Sequence, residues 1–382
     1  MGSNRKHEDT TKAKRVLEGA ILHILQITPR YYPSIGGVEE LVKRISEMLV
    51  VNKFDVTVCT VDLNPALPKV QKIDEVLVKR FNPVVGDPLY FPEPSFFSAI
   101  RQEDAEIIHV HNAHTLLPFA VALFKRKKQK FVLHTHYHRF AQSLFRNCLF
   151  KLYKYGLKRV VFPRVDVVIA NSLYEKRILC EDFHLNGRVL LISEGVDVEE
   201  CRQVKRNPVE PRRILYVGAL RRYKNVDRII EGFARLVKNG EGDFRLVIVG
   251  EGPERSFLVN LSYKLGVNRL VEWKSKLTRQ QLLDEYAKAS VFVHLSPLES
   301  FSRVVYEALL IGVPTVVLNF GATEHLVMGG FAKGVKALNA KEIADVMLEA
   351  SQKSCTKIES SVFLLNWREY SNKLVELYNS LV

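Results

Sequence analysis

The sequence predicts an α/β protein made of two doubly wound, Rossmann-like domains in tandem. Three observations carry that expectation. Short β-branched runs alternate with amphipathic segments along the chain, the pattern of parallel strands covered by helices on both faces. The alternation restarts near residue 205, after the polar stretch Val204–Arg213 with Pro208 and Pro211, which reads as a linker. The length of 382 residues exceeds one ordinary core and suits two. Two such units would face each other across a cleft.

In the first half, strands are expected at His23–Thr28, Val56–Cys59, Val76–Phe81, Ile107–Val110, Phe131–Leu133, Val167–Ala170 and Val189–Ser193. A helix is expected over Val38–Val51, where Leu41, Ile45, Met48 and Leu49 fall at helical spacing. In the second half, strands are expected at Ile214–Val217, Phe244–Val249, Val271–Trp273, Val291–His294 and Thr315–Leu318. Helices alternate with them at Asn225–Lys238, Pro253–Leu265, Thr278–Ala289 and Ser302–Ile311.

Composition removes several classes. Apolar residues make up 47% of the chain and charged residues 26%, an ordinary globular balance. The longest apolar run, Leu116–Phe124, is about half the roughly 18–20 residues that span a bilayer. Lys12, Lys14 and Arg15 before Ala20–Ile27 imitate a signal peptide, but Glu18 and His23 interrupt it. A buried first strand explains those residues better, with residues 1–20 as a polar lead-in. The five cysteines, Cys59, Cys148, Cys180, Cys201 and Cys355, are widely spaced and contain no C-x-x-C. Neither a disulfide framework nor a zinc site is expected, which suits the cytoplasm. The net charge of +14 implies an anionic neighbour or a Lys-rich solubilised surface.

Four motifs could carry chemistry. In Pro33–Glu39, Gly36 and Gly37 sit at a strand-to-helix turn, where backbone N–H groups can approach a phosphate; a structural turn explains the pair as well. In Glu299-Ser-Phe-Ser-Arg-Val-Val-Tyr-Glu307, two carboxylates lie eight residues apart. With Ser300 or Ser302 as cap, Glu299 falls on the loop, Glu307 in the second turn, and the Ser300, Phe301, Ser302 and Arg303 amides meet an anion. A carboxylate there would accept hydrogen bonds from sugar or ribose hydroxyls. Taken alone, an acidic residue placed for the helix dipole explains the motif equally well. In Val217–Asn225, Gly218 ends a strand and Arg221, Arg222 and Lys224 follow; cations at that sheet edge suit phosphate, or form a basic surface loop. The last motif is a histidine cluster: His109 and His111 end one strand, while His134, His136 and His138 follow the next and share one side if the chain stays extended. No carboxylate or cysteine is interleaved at ligand spacing, so packing of most of these rings is expected over zinc.

Together these residues resemble the family 4 glycosyltransferases of the GT-B fold, over about residues 21–380. The most specific element is the E-x7-E motif from Glu299 to Glu307. The Gly36-Gly37 loop, Ile192–Asp197, Val217-Gly218 with Lys224, Val249-Gly-Glu-Gly-Pro253 and Gly312-Val-Pro314 occur in the family's order. The resemblance implies an acceptor domain over 21–205, a nucleotide-sugar domain over 206–362, and a helix over 363–382 crossing back to the first domain. It further implies a central cleft and retention of anomeric configuration. Lys224 would neutralise the donor diphosphate, helped by Arg221 or Arg222. Glu307 would bind ribose and Glu299 the transferred sugar, while the Phe301 and Ser302 amides would meet sugar or phosphate. Gly37 would approach the diphosphate and His136 would lie near the sugar, with His134 as its rival and Glu324 as a further acidic group. Ser302 stands where the family usually has glycine, Ala219-Leu220 where it usually has arginine, Lys274-Ser275 where a glycine is usual, and His134 where T-x-H has threonine.

No Asp-x-Asp occurs, so no metal or other cofactor is expected and Lys224, arginine and helix amides carry the charge compensation. The expected partners are a nucleotide-sugar and an acceptor of unknown identity. Two basic segments, Lys125–Lys130 and Phe140–Arg164, suggest an anionic membrane surface. The second interleaves Phe145, Arg146, Leu149, Phe150, Lys151, Tyr153, Lys154, Tyr155, Lys158 and Arg159, as in an interfacial helix; a helix packed on its own domain is the alternative. Two other functions fit parts of the pattern: a GT-B sugar-nucleotide epimerase, or a non-catalytic sugar-nucleotide or membrane-binding module. Nucleic-acid binding has only the charge in its favour.

Overall fold

The computed structural model describes residues 21–34, 36–62, 64–139, 144–240, 242–352, 358 and 364–382, with side chains described from 150 onward in the segment that starts at 144. The lead-in over 1–20, Cys355, Phe363, Phe140 and the side chains of Phe145, Arg146, Cys148 and Leu149 lie outside these residues. The chain divides into two compact units. The first comprises the chain to Ala170, Lys176–Ile192 and Glu369–Val382; the second comprises Asn171–Glu175 and Ser193–Arg368.

The first unit is built on strands β1 (His23–Thr28), β2 (Asp55–Val61), β3 (Val70–Ile73), β4 (Val76–Phe81), β7 (Ile107–His111), β8 (Lys130–His134), β9 (Val167–Ala170) and β10 (Val189–Leu191), with a small β5 (Pro83–Val85)/β6 (Phe91–Pro92) hairpin beside them. The large sheet has the order β10-β9-β8-β7-β1-β2-β4-β3. Every pairing is parallel except β3 on β4. Its helices are α1 (Gly37–Val51), α2 (Pro94–Gln102), α3 (Leu117–Phe124), α4 (Leu144–Gly156) and most of α5 (Leu173–Phe183).

The second unit carries α6 (Val198–Gln203), α7 (Val226–Lys238), α8 (Arg255–Lys264), α9 (Arg279–Lys288), α10 (Arg303–Ile311), α11 (Glu324–Met328) and α12 (Ala340–Ser351). Its sheet runs β14 (Val271–Lys274), β13 (Phe244–Val249), β12 (Arg212–Val217), β15 (Val291–His294), β16 (Thr315–Leu318), β17 (Lys333–Val335), all parallel. Alternation along β12 feeds both faces. Leu215 and Val217 join the core with Tyr286 of α9 and Val305 and Leu309 of α10. Ile214 and Tyr216 join the other core with Ile229 and Phe233 of α7 and Ile343 of α12. Helix α7 buries Val226, Ile229, Ile230, Phe233 and Leu236 as one stripe, each large apolar side chain contributing about 1.5–3 kcal/mol. Thr278 and Gln281 close a capping box at the start of α9, so that helix begins where local side chains satisfy its first amides.

The divide between units falls at Ile192, ahead of the expected 205. Packing decides this. β11 (Gly195–Val196) pairs in parallel with β18 (Leu365–Asn366), and Val198 and Cys201 of α6 enter the second unit's core. Helix α13 (Trp367–Leu381) starts at Trp367 rather than at 363, and from Glu369 it belongs to the first unit. There the Tyr378 hydroxyl lies 2.6 Å from His109 Nδ1, and Asn52 Nδ2 donates to Ser371 Oγ at 3.3 Å. Among the described residues, no helix is long and apolar enough to cross a membrane.

Candidate functional site

In the second sheet, β12 is the first strand in sequence, and the order runs outward from it in both directions. The strand order reverses between β12 and β15, the place where open α/β sheets gather ligand-binding loops beyond the strand ends. β12 and β15 are parallel, so the loops holding Gly218–Asn225 and Leu295–Ser302 leave from one edge. The fold thereby joins Lys224 to Glu299 as a contact ion pair, although 75 residues separate them. His294, the last residue of β15, has Nε2 3.0 Å from the same Glu299 oxygen. Burial alone would raise the Glu299 carboxyl, but the Lys224 charge and the His294 bond overturn this and hold it well below the usual carboxylate range. Burial opposes the Lys224 charge, yet Glu299 raises its pKa overall. Burial lowers His294 in spite of Glu299. The cluster is therefore an ammonium, a carboxylate and a neutral imidazole near pH 7.

The Lys224 loop is fixed by backbone packing. Arg222–Lys224 form one 3-10 turn behind Arg221, and Asn225 takes a left-handed conformation. The Asn225 amide donates to the Leu295 carbonyl at 2.8 Å, tying the two loops together. Arg222 is exposed and Arg221 half-buried. A Cβ on Gly250 would lie 1.9 Å from the Gly218 carbonyl oxygen, and one on Gly252 would lie 2.3 Å from that of Leu220. The Val249–Pro253 motif thus lets the loop after β13 pack directly on the loop after β12.

Helix α10 starts at Arg303, and Glu307 falls in its second turn. Ser302 is the N-cap residue, but at φ 78° and ψ 70°, and its side chain makes no capping bond. The Phe301 ring is a core group stacked on Tyr306 at 4.4 Å, so only its backbone is left for a ligand. Asn171 Nδ2 donates to Ser300 Oγ at 3.4 Å. Arg303 lies 3.5 Å from Glu194 and over the Trp367 ring. Burial pushes the Glu194 carboxyl up to about 7; Arg303 pulls it down and Glu299 pushes it further up. Glu307 Oε1 accepts from Arg279 Nη1 at 2.6 Å, and the Tyr286 hydroxyl donates to Oε2 at 3.2 Å. Glu194, Arg279, Tyr286 and His294 are thus neighbours of the motif that the sequence reading did not single out. The Thr278 capping box was a visible local signal for Arg279, but its partner lies 28 residues away.

Gly36, Gly37 and His136 belong to the first unit. Gly36 is the N-cap of α1, with extended φ of 176°. A Cβ there would lie 2.1 Å from a Glu39 carboxylate oxygen, and Glu39 pairs with Arg30 at 2.6 Å. The turn therefore already carries a buried carboxylate beside its first amides, which a side chain at Gly36 would displace. The histidines split into two groups because His136 has φ 46°, which ends the extended run. His134 stacks on His136 at 4.4 Å and on His109 at 5.7 Å, whereas His138 leaves them and stacks on His114 at 3.8 Å. Nitrogen atoms of His109, His111 and His134 all lie within 4.8 Å of one another, a spacing that a metal ligand set could share. Tyr378 holds His109, and Gln26 holds His111 at 2.8 Å. Burial and the neighbouring rings push both imidazoles well below their ordinary range, so these are packed neutral rings. Glu324 opens α11.

Two doubly wound α/β units, the second with a buried ion-pair cluster at its switch point, define an α/β class whose ligands gather beyond the strand ends, and comparison with known proteins sharpens it. Residues 35–200 match the model of Glycosyltransferase Family 4, and residues 197–360 match that of Glycosyl transferases group 1. An uncharacterized glycosyltransferase of Methanocaldococcus jannaschii is 24% identical over 336 residues, covering 80% of this chain and 83% of that protein. A GDP-mannose-dependent alpha-mannosyltransferase of Mycobacterium tuberculosis is 26% identical over 334 residues, covering 79% and 80%. The structure of Anabaena HepE in complex with UDP-glucose superposes with a TM-score of 0.72 at 16% identity, covering 94% of this chain and 100% of that one. The chain belongs to the family 4 glycosyltransferases of GT-B type, and it is a glycosyltransferase.

Proposed function

We propose that this enzyme transfers the sugar of a nucleotide-sugar to an acceptor hydroxyl with retention and without a metal. The observation that carries the reading is the pairing within Glu299–Glu307: one carboxylate is locked to Lys224 and the other to Arg279, on either side of the start of α10. Both carboxylates are thus held as acceptors for hydroxyl donors. Lys224 compensates the diphosphate, with Arg221, Arg222 and the Ser300–Arg303 amides adding positive potential. Glu299 receives sugar hydroxyls and Glu307 the ribose diol. As the bond from the anomeric carbon to the phosphate oxygen breaks, the acceptor oxygen bonds to that carbon on the same face. Its proton passes to the leaving phosphate. A GDP-mannose-dependent relative and a UDP-glucose-bound neighbour support a nucleotide-sugar as donor.

The test is thermal-shift screening against nucleotide-sugars and nucleoside diphosphates, with and without EDTA. One donor should stabilise the protein in EDTA, and Glu307→Ala should abolish the shift. NMR of the product should show the donor's anomeric configuration. A shift that needs a divalent cation, or an inverted product, would overturn the reading.

A second proposal concerns the acceptor. Lys151, Leu152, Tyr155, Lys158 and Arg159 are exposed, with Leu152 71% and Tyr155 59% accessible. Basic and apolar groups on one outer stripe suit an anionic lipid surface, and hence a lipid-linked or phosphorylated acceptor at the cytoplasmic membrane face. The Lys125–Lys130 segment contributes less, because Arg126 and Lys128 both pair with Asp104 at 2.9 Å and Lys125 donates to the Gln129 carbonyl. Failure to float with phosphatidylglycerol vesicles would remove the membrane part.

A further inference from the structure

We propose that Arg279 is a positioning residue for the nucleotide: it fixes the Glu307 carboxylate in one orientation and so sets a preference for ribose over 2′-deoxyribose. The inference rests on the reading of Glu307 as the ribose carboxylate and adds a residue that the E-x7-E motif does not contain.

Arg279 is the first residue of α9, behind the Thr278–Gln281 capping box, so its backbone is anchored. Its guanidinium reaches three carboxylates. Nη1 donates to Glu307 Oε1 at 2.6 Å, Nε donates to Glu200 Oε2 at 2.7 Å, and Nη2 lies 3.7 Å from Asp197 Oδ2. A planar fork held at both edges cannot rotate away from Glu307 without breaking two charge-assisted bonds. Burial disfavours the Arg279 charge, but Glu307 and Glu200 overcome it and raise its pKa.

The consequence falls on Glu307. Each carboxylate oxygen has two lone-pair directions. Arg279 occupies one on Oε1, and the Tyr286 hydroxyl, shared with the Val304 carbonyl at the same 3.2 Å, faces one on Oε2. The two that remain match the two donors of a vicinal diol. The corner holds three carboxylates and one cation, so it carries net negative charge and repels a diphosphate. Diol and phosphate are thereby sorted to different ends of the segment, the diol to Glu307 and the phosphate to Lys224. Without Arg279, a buried carboxylate would lose its cation and its fixed orientation while facing Glu200 and Asp197.

The experiment measures dissociation constants of UDP and GDP and of their 2′-deoxy forms by titration calorimetry. It uses the full chain and the variants Glu307→Gln, Arg279→Met, Arg279→Lys and the Arg279→Met/Glu307→Gln pair. For the nucleotide that binds, the wild type should prefer ribose by roughly tenfold to a hundredfold, the range of one or two hydrogen bonds to a charged group. Arg279→Met should bring that ratio near unity with little change for the 2′-deoxy form. Arg279→Lys should restore part of it, and the double variant should be no worse than either single one. Equal weakening of both sugars in Arg279→Met, or losses that multiply in the double variant, would overturn the proposal. If Glu307→Gln itself leaves the preference intact, the ribose role of Glu307 fails instead. Should Arg279→Met not fold, Arg279→Lys carries the test: a ribose preference reduced but not lost, with little change for the 2′-deoxy form, supports the proposal, and an unchanged ratio or an equal loss for both sugars overturns it.

Discussion

Replacing Glu194 with glutamine removes a titration while keeping the side chain's shape. The carboxyl sits in the second unit, 3.5 Å from Arg303, and burial with the push of Glu299 raises it from 4.5 to about 7 in spite of Arg303. Below pH 4.5 the group is protonated in both the folded and the unfolded chain, and it costs nothing. Between 4.5 and about 7 the unfolded chain releases its proton while the folded chain keeps it, so stability falls as pH rises. Above about 7 the loss is complete, at about 3 kcal/mol. Glutamine does not titrate, so the stability difference between wild type and Glu194→Gln should move by about that amount from pH 4.5 to 8, in the variant's favour. Urea unfolding followed by tryptophan fluorescence measures it well. The chain's two tryptophans, Trp273 and Trp367, both lie in the second unit with Glu194, so the signal follows the unit that carries the change. Parallel pH profiles for the two proteins would refute the reasoning and mean that Arg303 keeps Glu194 ionised throughout.

Three further outcomes follow from the same geometry. Lys224→Met should lower kcat/KM by about a hundredfold or more in steady-state transfer assays, and should lower unfolding stability by about 3–5 kcal/mol because Glu299 loses its buried cation. Gly252→Ala should cost about 2 kcal/mol or more in urea, since its Cβ would meet the Leu220 carbonyl oxygen at 2.3 Å and backbone cannot yield cheaply. Reversing Lys151, Lys158 and Arg159 to glutamate should abolish flotation with anionic vesicles, at about 1 kcal/mol lost per basic residue, while leaving nucleotide binding unchanged.

Parallel strands were legible because a strand buried on both faces is a continuous β-branched run. Phe244–Val249, Val291–His294 and Thr315–Leu318 have the bounds read from sequence. The edge strand β3 was not legible. β3 alternates exposed and half-buried residues, so Val70–Ile73 has no apolar run to detect. The Glu299–Glu307 pair was readable since one loop and two helical turns join its members. Its pairings were not, because Lys224 reaches Glu299 only through the order of β12 and β15, His294 reaches it only through the turn of the loop after β15, and Arg279 reaches Glu307 from another helix. The histidine run misled in one respect: alternation assumes extended backbone, and His136 leaves it.

Ser302 joins the two kinds of information. The family pattern puts glycine there, and the backbone explains why: φ of 78° costs an L-residue roughly 1–2 kcal/mol. The Ser302 hydroxyl is buried with no hydrogen-bond partner among the described residues, adding roughly 1–3 kcal/mol of lost hydration. Against these stands only the extra unfolded-chain entropy of glycine, roughly 0.5–1 kcal/mol. Ser302→Gly should therefore stabilise the unliganded protein by about 1–4 kcal/mol in urea. A hydroxyl kept at such cost beside Glu299 and the α10 amides has a natural partner in the donor's sugar or phosphate oxygens, so the same variant should bind nucleotide-sugar more weakly. Greater stability together with weaker donor binding is the expected pair of results. Greater stability with unchanged binding would mean the hydroxyl does not touch the donor, and lower stability would mean that the left-handed cap is not strained.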